Sequence, residues 1–316
     1  MAKLSLSEVS QRFNISRSTL YRSIKEGRLS RSSDGLFDIA EVIRCFGEPK
    51  IQNKEVPEES IKKDDADLRQ LVEFMKREVR NNGFEKVILG LSGGIDSSLV
   101  AYLAVKAFGR KNVHGVIMPY KTSNPQSEQD ALLIADSLKI SCEKVEITDM
   151  VDPYFAKYPS MTPLRKGNRM ARERMCILYD LSARDKSLVI GTGNKTEMYL
   201  GYSTQHGDAA CALLPIADLY KTQVWSLSEY LGVPKEIIDK KPSADLWIGQ
   251  TDEEELGFSY NDADNILYEL LDKKKGRTQI IEMGFDSDVI YSIIEKIKNS
   301  EFKRRKPKIA FIRDKV

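Results

Sequence analysis

Long apolar runs are missing from this 316-residue chain. No stretch approaches the roughly 18 consecutive apolar residues that a bilayer-spanning helix needs, so no membrane span is expected. The first residues, MAKLSLSEVS, lack the apolar segment of a secretory leader, and a cytoplasmic protein is expected. Cysteine is sparse: Cys45, Cys142, Cys176 and Cys211 are far apart and form no CxxC pair. With only His114 and His206 beside them, they offer neither a disulfide framework nor a zinc site. Charge of one sign is also lacking, with 49 Lys and Arg against 47 Asp and Glu, so no global charge names a partner. There is no internal repeat and no low-complexity tract. What is present is an ordinary hydrophobic share of 41%, enough for one large core or two.

Two unequal pieces are expected, 1–48 and 66–316, joined by a linker at 49–65. In the first, Ser5 and Glu8 form a capping box for a short helix carrying Leu6, Val9 and Phe13. After a turn at Asn14-Ile15, Ser16 caps a second helix that Gly27 can close. Two short helices about a tight turn are a helix-turn-helix pattern. Residues 1–31 carry a local net charge of +5. Arg17, Ser18, Tyr21 and Arg22 fall near the start of the second helix, where groove and phosphate contacts to DNA are made. A helical appendage with a solvated basic face fits the same residues. The stretch 48–65 has two prolines, many charges and few apolar residues, which is linker composition.

A helix is expected at about 66–81, with Leu68, Leu71, Val72, Met75 and Val79 on one face. From residue 86 short apolar strands alternate with helical patterns: KVILGL, then a helix at 98–108, NVHGVIMP, a helix at 125–138, CEKVEIT, a long helix at about 167–184, and SLVIGT. This implies an α/β fold, a doubly wound parallel sheet covered on both faces, with a small α-helical N-terminal domain. Ligands of such sheets bind beyond the carboxyl ends of the strands.

The segment after the first strand is Ser92-Gly93-Gly94-Ile95-Asp96-Ser97-Ser98. Its glycines admit close backbone approach, its amides can form an anion nest, and the next helix aims its N-terminus at the same point. It reads as a phosphate cradle, although GxxxxGK[ST] is absent and no lysine lies in the turn. A carboxylate there repels phosphate unless it holds a bridging divalent cation, so Asp96 points to magnesium. The alternative is a capped strand–helix turn in which Asp96 satisfies backbone donors.

SGGIDSS resembles the pyrophosphate loop of the ATP pyrophosphatases, the PP-loop superfamily, whose members cleave ATP between its α and β phosphates and adenylate a substrate oxygen. Within it, SLVIGTGNKTEMYLGYSTQHGD at 187–208 is similar to a segment of ammonia-dependent NAD synthetases. The resemblance implies an adenine nucleotide alpha hydrolase-like fold and a ligase of NAD biosynthesis, with ATP, deamido-NAD and ammonia as substrates. It implies ATP contacts at Gly90, Leu91, Ser92, Gly93, Gly94, Ile95, Asp96 and Ser97, and at Thr192, Lys221 and Ser243. Asp96 and Glu197 are then the Mg2+ ligands. RKGNRMARERM at 165–175 aligns Arg172 with a deamido-NAD contact, and Gln205 and Lys303 fall on that side too. KPSADLWIGQTDEEELG at 241–257, with Asp245 in it, resembles a loop that closes over the site together with 205–211.

The resemblance covers about 66–313. It departs on the dinucleotide side, with Gln205 in place of a lysine, Ala212 in place of an aspartate and Phe302 in place of a histidine. The implied reaction adenylates the nicotinate carboxylate and then admits ammonia, with Asp208 a candidate to take its proton. Glutamine-dependent members carry a separate amidase domain. The additional N-terminal piece is under seventy residues with Cys45 and no histidine, so free ammonia is the expected donor. A homodimer is expected, and DNA is a possible partner of residues 1–48. The rival readings are a DNA-binding regulator whose synthetase-like half senses nucleotides, and another adenylating enzyme of the superfamily acting, for example, on tRNA.

Overall fold

The computed structural model describes residues 3–13, 15, 17–32, 35–47, 58–243 and 251–310. Its chain divides into two compact units, one of residues 1–58 with 256–293 and one of 59–255 with 294–316.

The first unit begins with β1 (Lys3–Leu4), α1 (Leu6–Phe13), α2 (Arg17–Lys25), β2 (Phe37–Asp38) and α3 (Ile39–Phe46). The two short helices stand where the sequence predicts them, and Gly27 ends the second at φ +70°. Ser16, the expected cap, lies outside the described residues. An antiparallel pair, Leu4 against Phe37, adds sheet to a piece expected to be wholly helical. Phe37 and Leu4 belong there because both side chains enter a small core with Val9, Phe13, Leu20, Leu29 and Val42. Asp38 then accepts a bond from the Ala40 amide at 2.9 Å and starts α3.

The second unit opens with α4 (Glu58–Asn81), so the charged residues 58–65 form helical turns where composition alone suggests linker. Met75 and Val79 are its buried side. The sheet follows: β3 (Lys86–Gly90), α5 (Ile95–Phe108), β4 (Val113–Ile117), α6 (Pro125–Leu138), β5 (Ser141–Lys144), α7 (Thr148–Lys157), α8 (Pro163–Asp185) and β6 (Ser187–Val189). The strands are parallel in the order β5-β4-β3-β6, as the alternation of strand and helix predicts. Strand side chains alternate between faces. Val87 and Leu89 join a core with α5, α6 and α10 (Lys221–Leu231), while Ile88 and Val116 join one with α7 and α8. Both faces are therefore covered, and the open ground is the carboxyl edge, where β3 leads to residues 92–98 and β6 leads to α9 (Lys195–Leu200). After α10 come α11 (Lys235–Ile238) and α12 (Asp252–Leu256).

The segment that returns to the first unit carries α13 (Tyr260–Leu267), α14 (Arg277–Glu282) and the start of α15 (Ser287–Asn299). Tyr260, Ala263, Ile266, Ile280 and Ile290 are buried there.

Candidate active site

The serines of the turn brace it. Ser97 Oγ donates to Gly94 O at 3.0 Å and lies 3.0 Å from Ser92 Oγ, and Ser98 Oγ donates to the same carbonyl at 2.8 Å. Gly94 N donates to Ser92 Oγ at 3.2 Å. Gly93 sits at φ +72°, and a Cβ on it would fall 2.2 Å from Ser127 O, so only glycine permits this path. α5 begins at Ile95 rather than Ser98, and its N-cap Gly94 provides no side-chain cap. The positive end of a 14-residue helix is thus left to a ligand anion. Leu91 and Ile95 point into the core, and the Leu91 amide donates to Val116 O at 2.8 Å, so neither offers a nucleotide its side chain and Leu91 does not offer its amide.

Three chain-distant side chains meet beside the turn. Asp96 projects from the first turn of α5, Glu197 from the first turn of α9, and Lys221 starts α10. Lys221 Nζ bonds Asp96 Oδ2 and lies 3.1 Å from Glu197 Oε1. The lysine side chain is 2% exposed and the two carboxylates 17% and 18%. Burial opposes the lysine's charge, but the flanking carboxylates outweigh it and raise its pKa. Burial pushes the Glu197 carboxyl up to about 7, against the pull of Lys221. This is a place built for positive charge. Two hard oxygen donors on separate elements fit a Mg2+ ion that takes its remaining ligands from phosphate and water. Asn194, fully buried, donates to Asp96 Oδ1 at 2.8 Å and accepts from the Glu197 amide at 2.9 Å.

The other predicted ATP residues are placed less closely. Gly90 ends β3, and Thr192 is half-buried in the loop after β6. Ser243 is exposed, and Asp245 lies outside the described residues.

The predicted dinucleotide residues gather around 201–208. Arg172 Nε donates to Gln205 O at 3.2 Å. Lys303 Nζ donates to Gly201 O at 2.8 Å and to Ser203 O at 2.7 Å. Asp208 is an exposed residue whose Oδ1 accepts the Thr204 amide at 2.8 Å. Packing around that carboxyl raises its pKa, which that hydrogen bond only partly offsets. A cavity of about 380 Å³ opens beside Gln205, lined also by Phe302, Arg305, Lys306, Pro307 and Lys308.

In the N-terminal piece, Tyr21 is exposed, and Arg22 pairs with Asp286 at 3.5 Å and Asp288 at 3.6 Å within the same unit. Arg28 pairs with Glu26 and Arg44 with Glu41. The side chains of Arg17 and Ser18 are outside the described residues.

Sequence reasoning missed Asn194, Lys240 with Asp130, and the bonds from Tyr202 Oη to Asp252 Oδ1 at 3.0 Å and Glu255 Oε2 at 2.9 Å. The N-cap position of α9 was the available signal for Asn194. The others are ordinary polar residues in polar stretches.

A family model described as NAD synthase matches residues 67–307. The NH(3)-dependent NAD(+) synthetase of Fusobacterium nucleatum is 54% identical over 244 residues, covering 77% of this chain and 95% of the relative. That of Trichlorobacter lovleyi is 54% identical over 242 residues, covering 77% and 89%. Among solved structures, NMN synthetase from Francisella tularensis matches with TM-score 0.70 and 36% identity over 78% of this chain and 98% of that one. NH3-dependent NAD synthetase from Campylobacter jejuni matches with TM-score 0.67 and 33% identity over 78% and 99%.

Proposed function

The chain belongs to the NAD synthase family, and from that premise we propose how its own residues divide the work of amidating deamido-NAD with ATP and ammonia. A carboxylate does not yield to ammonia at neutral pH because its oxygen leaves poorly. The nicotinate carboxylate therefore attacks the α-phosphorus of ATP and pyrophosphate departs. Ammonia then attacks the carbonyl of the mixed anhydride, giving NAD and AMP.

The turn at 92–98 receives the departing pyrophosphate on its amides and on the N-terminus of α5. Asp96 and Glu197 would hold Mg2+, which when bound would neutralise phosphate oxygens and orient the leaving group. Lys221 is the third charge of this group, and it balances the carboxylates and reaches for the phosphates. Thr192 and Ser243 belong to the ATP side. Arg172, Gln205 and Lys303 shape the dinucleotide side, and the basic cavity at Arg305, Lys306 and Lys308 extends it. Asp208 is the proposed acceptor of the proton that ammonia sheds after attack, and a raised pKa makes its carboxylate a better acceptor.

The convergence of Asp96 and Glu197 on one buried cation beside the serine-braced turn carries this reading. The experiment is NAD formation with ammonia against glutamine, for wild type and Asp96→Asn. Activity with ammonia that collapses in the variant supports it; an unchanged variant removes Asp96 from the metal site.

We also infer a homodimer, supported by exposed Tyr154 on α7, Tyr158 just after it, and Leu164 and Tyr179 on α8; sedimentation at micromolar concentration tests it. A reducing cytoplasm is supported by four cysteines that are all free. Duplex DNA as a partner of residues 1–48 keeps the support of the paired helices α1 and α2. Salt-sensitive binding that disappears on deleting 1–48 is its test.

A further inference from the structure

Lys240 follows α11 and stands three residues before Ser243. Its Nζ reaches three oxygens, Asp130 Oδ2 at 2.7 Å, Ser127 Oγ at 3.2 Å and Gly93 O at 3.2 Å. An ammonium has three donors, and here each has an acceptor. Asp130 is 4% exposed, and its other oxygen accepts from Gln126 Nε2 at 2.9 Å. The acid is therefore held from its own helix, and the lysine is the cation that balances it.

What makes the contact more than a buried ion pair is the carbonyl of Gly93. That oxygen shares a planar trans peptide with the amide of Gly94, so a bond that fixes the C=O direction fixes the N–H on the opposite side. The Gly94 N–H points to Ser92 Oγ, inside the turn. Gly93 also lies hard against the first turn of α6, where a Cβ would meet Ser127 O at 2.2 Å and Asp130 Cβ at 3.0 Å. The back of the turn is thus a wall made by α6, and Lys240 fastens the two together. None of these groups belongs to the Asp96, Glu197 and Lys221 cluster.

We propose that Lys240 is a positioning residue for the phosphate-binding turn, holding the 93–94 peptide, and with it the bond from the Gly94 N–H to Ser92 Oγ, in one orientation before the nucleotide arrives. The inference rests on the reading of residues 92–98 as the pyrophosphate site. Orientation set in advance lowers the cost of binding and of reaching the transition state.

The test compares wild type with Lys240→Met, Lys240→Arg, the double variant Lys240→Met with Asp130→Asn, and Gly93→Val. The readouts are Tm, calorimetric binding of inorganic pyrophosphate with Mg2+, and KM for ATP and for deamido-NAD. Lys240→Met is expected to weaken pyrophosphate binding and raise KM for ATP by about tenfold or more, with KM for deamido-NAD unchanged. Lys240→Arg recovers part of both. The double variant no longer buries an unpaired carboxylate, so it regains Tm but not pyrophosphate binding. A double variant that regains Tm and also binds pyrophosphate like wild type overturns the inference, because the lysine then only balances Asp130. Gly93→Val separates the two levels. Unaltered pyrophosphate binding in it overturns the reading of the turn itself. Lost binding in it, with wild-type binding in the Lys240 variants, overturns only the role of Lys240.

Discussion

Asn194 and Asp96, 98 residues apart in the chain, are joined by one hydrogen bond of 2.8 Å, and the same Asn194 side chain caps the helix that carries Glu197. One amide thereby sets both the orientation of the first carboxylate and the start of the helix that presents the second. Asn194 thus stands behind the two carboxylates proposed to hold Mg2+, and groups that orient metal ligands in this way commonly change activity or metal affinity by about 10–100-fold when removed.

Asn194→Ser separates the two roles. Serine still caps α9, so Tm is expected to stay within a few degrees of wild type. It does not replace the Nδ2 donor to Asp96, so the Mg2+ concentration giving half-maximal activity is expected to rise by about tenfold or more. A Mg2+ titration of initial rates checks this. A titration that matches wild type removes the orienting role.

Lys221→Ala leaves Asp96 and Glu197 facing each other without their cation. Removing one partner of a buried pair costs about 3–5 kcal/mol. Tm is expected to fall, and added Mg2+ is expected to raise the variant's Tm more than wild type's, since the ion supplies the missing charge. Thermal melts with and without Mg2+ decide it. Equal Mg2+ effects in the two proteins count against a metal at this pair.

Arg172→Ala addresses the proposed dinucleotide side. The bond from Arg172 to Gln205 O holds the 201–208 loop, far in sequence from the turn. KM for deamido-NAD is expected to rise by about tenfold and KM for ATP to stay within about twofold. Steady-state kinetics with each substrate varied in turn checks it, and a rise confined to ATP reverses the assignment.

Arg184 gives a pH dependence remote from the site. Its guanidinium bonds Glu143 and Asp185 and holds both carboxyls below their ordinary range. Their folded pKa values are depressed, so the stabilisation is present above the unfolded value near 4 and is lost as pH falls through the folded values. Arg184→Gln is expected to lower Tm slightly at pH 7 and to match wild type at about pH 2. A Tm difference that persists in acid assigns the effect to packing.

Much of this site is legible in the sequence because parallel sheets deliver ligand-binding residues just after their strands. The turn after β3 and the segment after β6 are such places, and Asp96 and Glu197 from them meet together with Lys221. Asn194 was not legible because an asparagine ahead of a helix reads as a cap, and the cap uses only one end of its amide. Lys240 was not legible because a lysine beside another lysine reads as solvated surface, while its partner Asp130 lies 110 residues away. The residues 58–65 read as linker from their charge, although charged residues propagate a helix well once α4's apolar side is seated. The pair of short strands in the N-terminal piece was missed because two residues are too few to show a period.

The most direct measurement is exchange of labelled pyrophosphate into ATP with deamido-NAD and Mg2+ present and ammonia absent, which isolates the adenylation half-reaction. Exchange that requires deamido-NAD in wild type and falls by about 100-fold or more in Asp96→Asn and in Glu197→Gln is the expected result. Undiminished exchange in both variants would contradict a pyrophosphate site built on these two carboxylates.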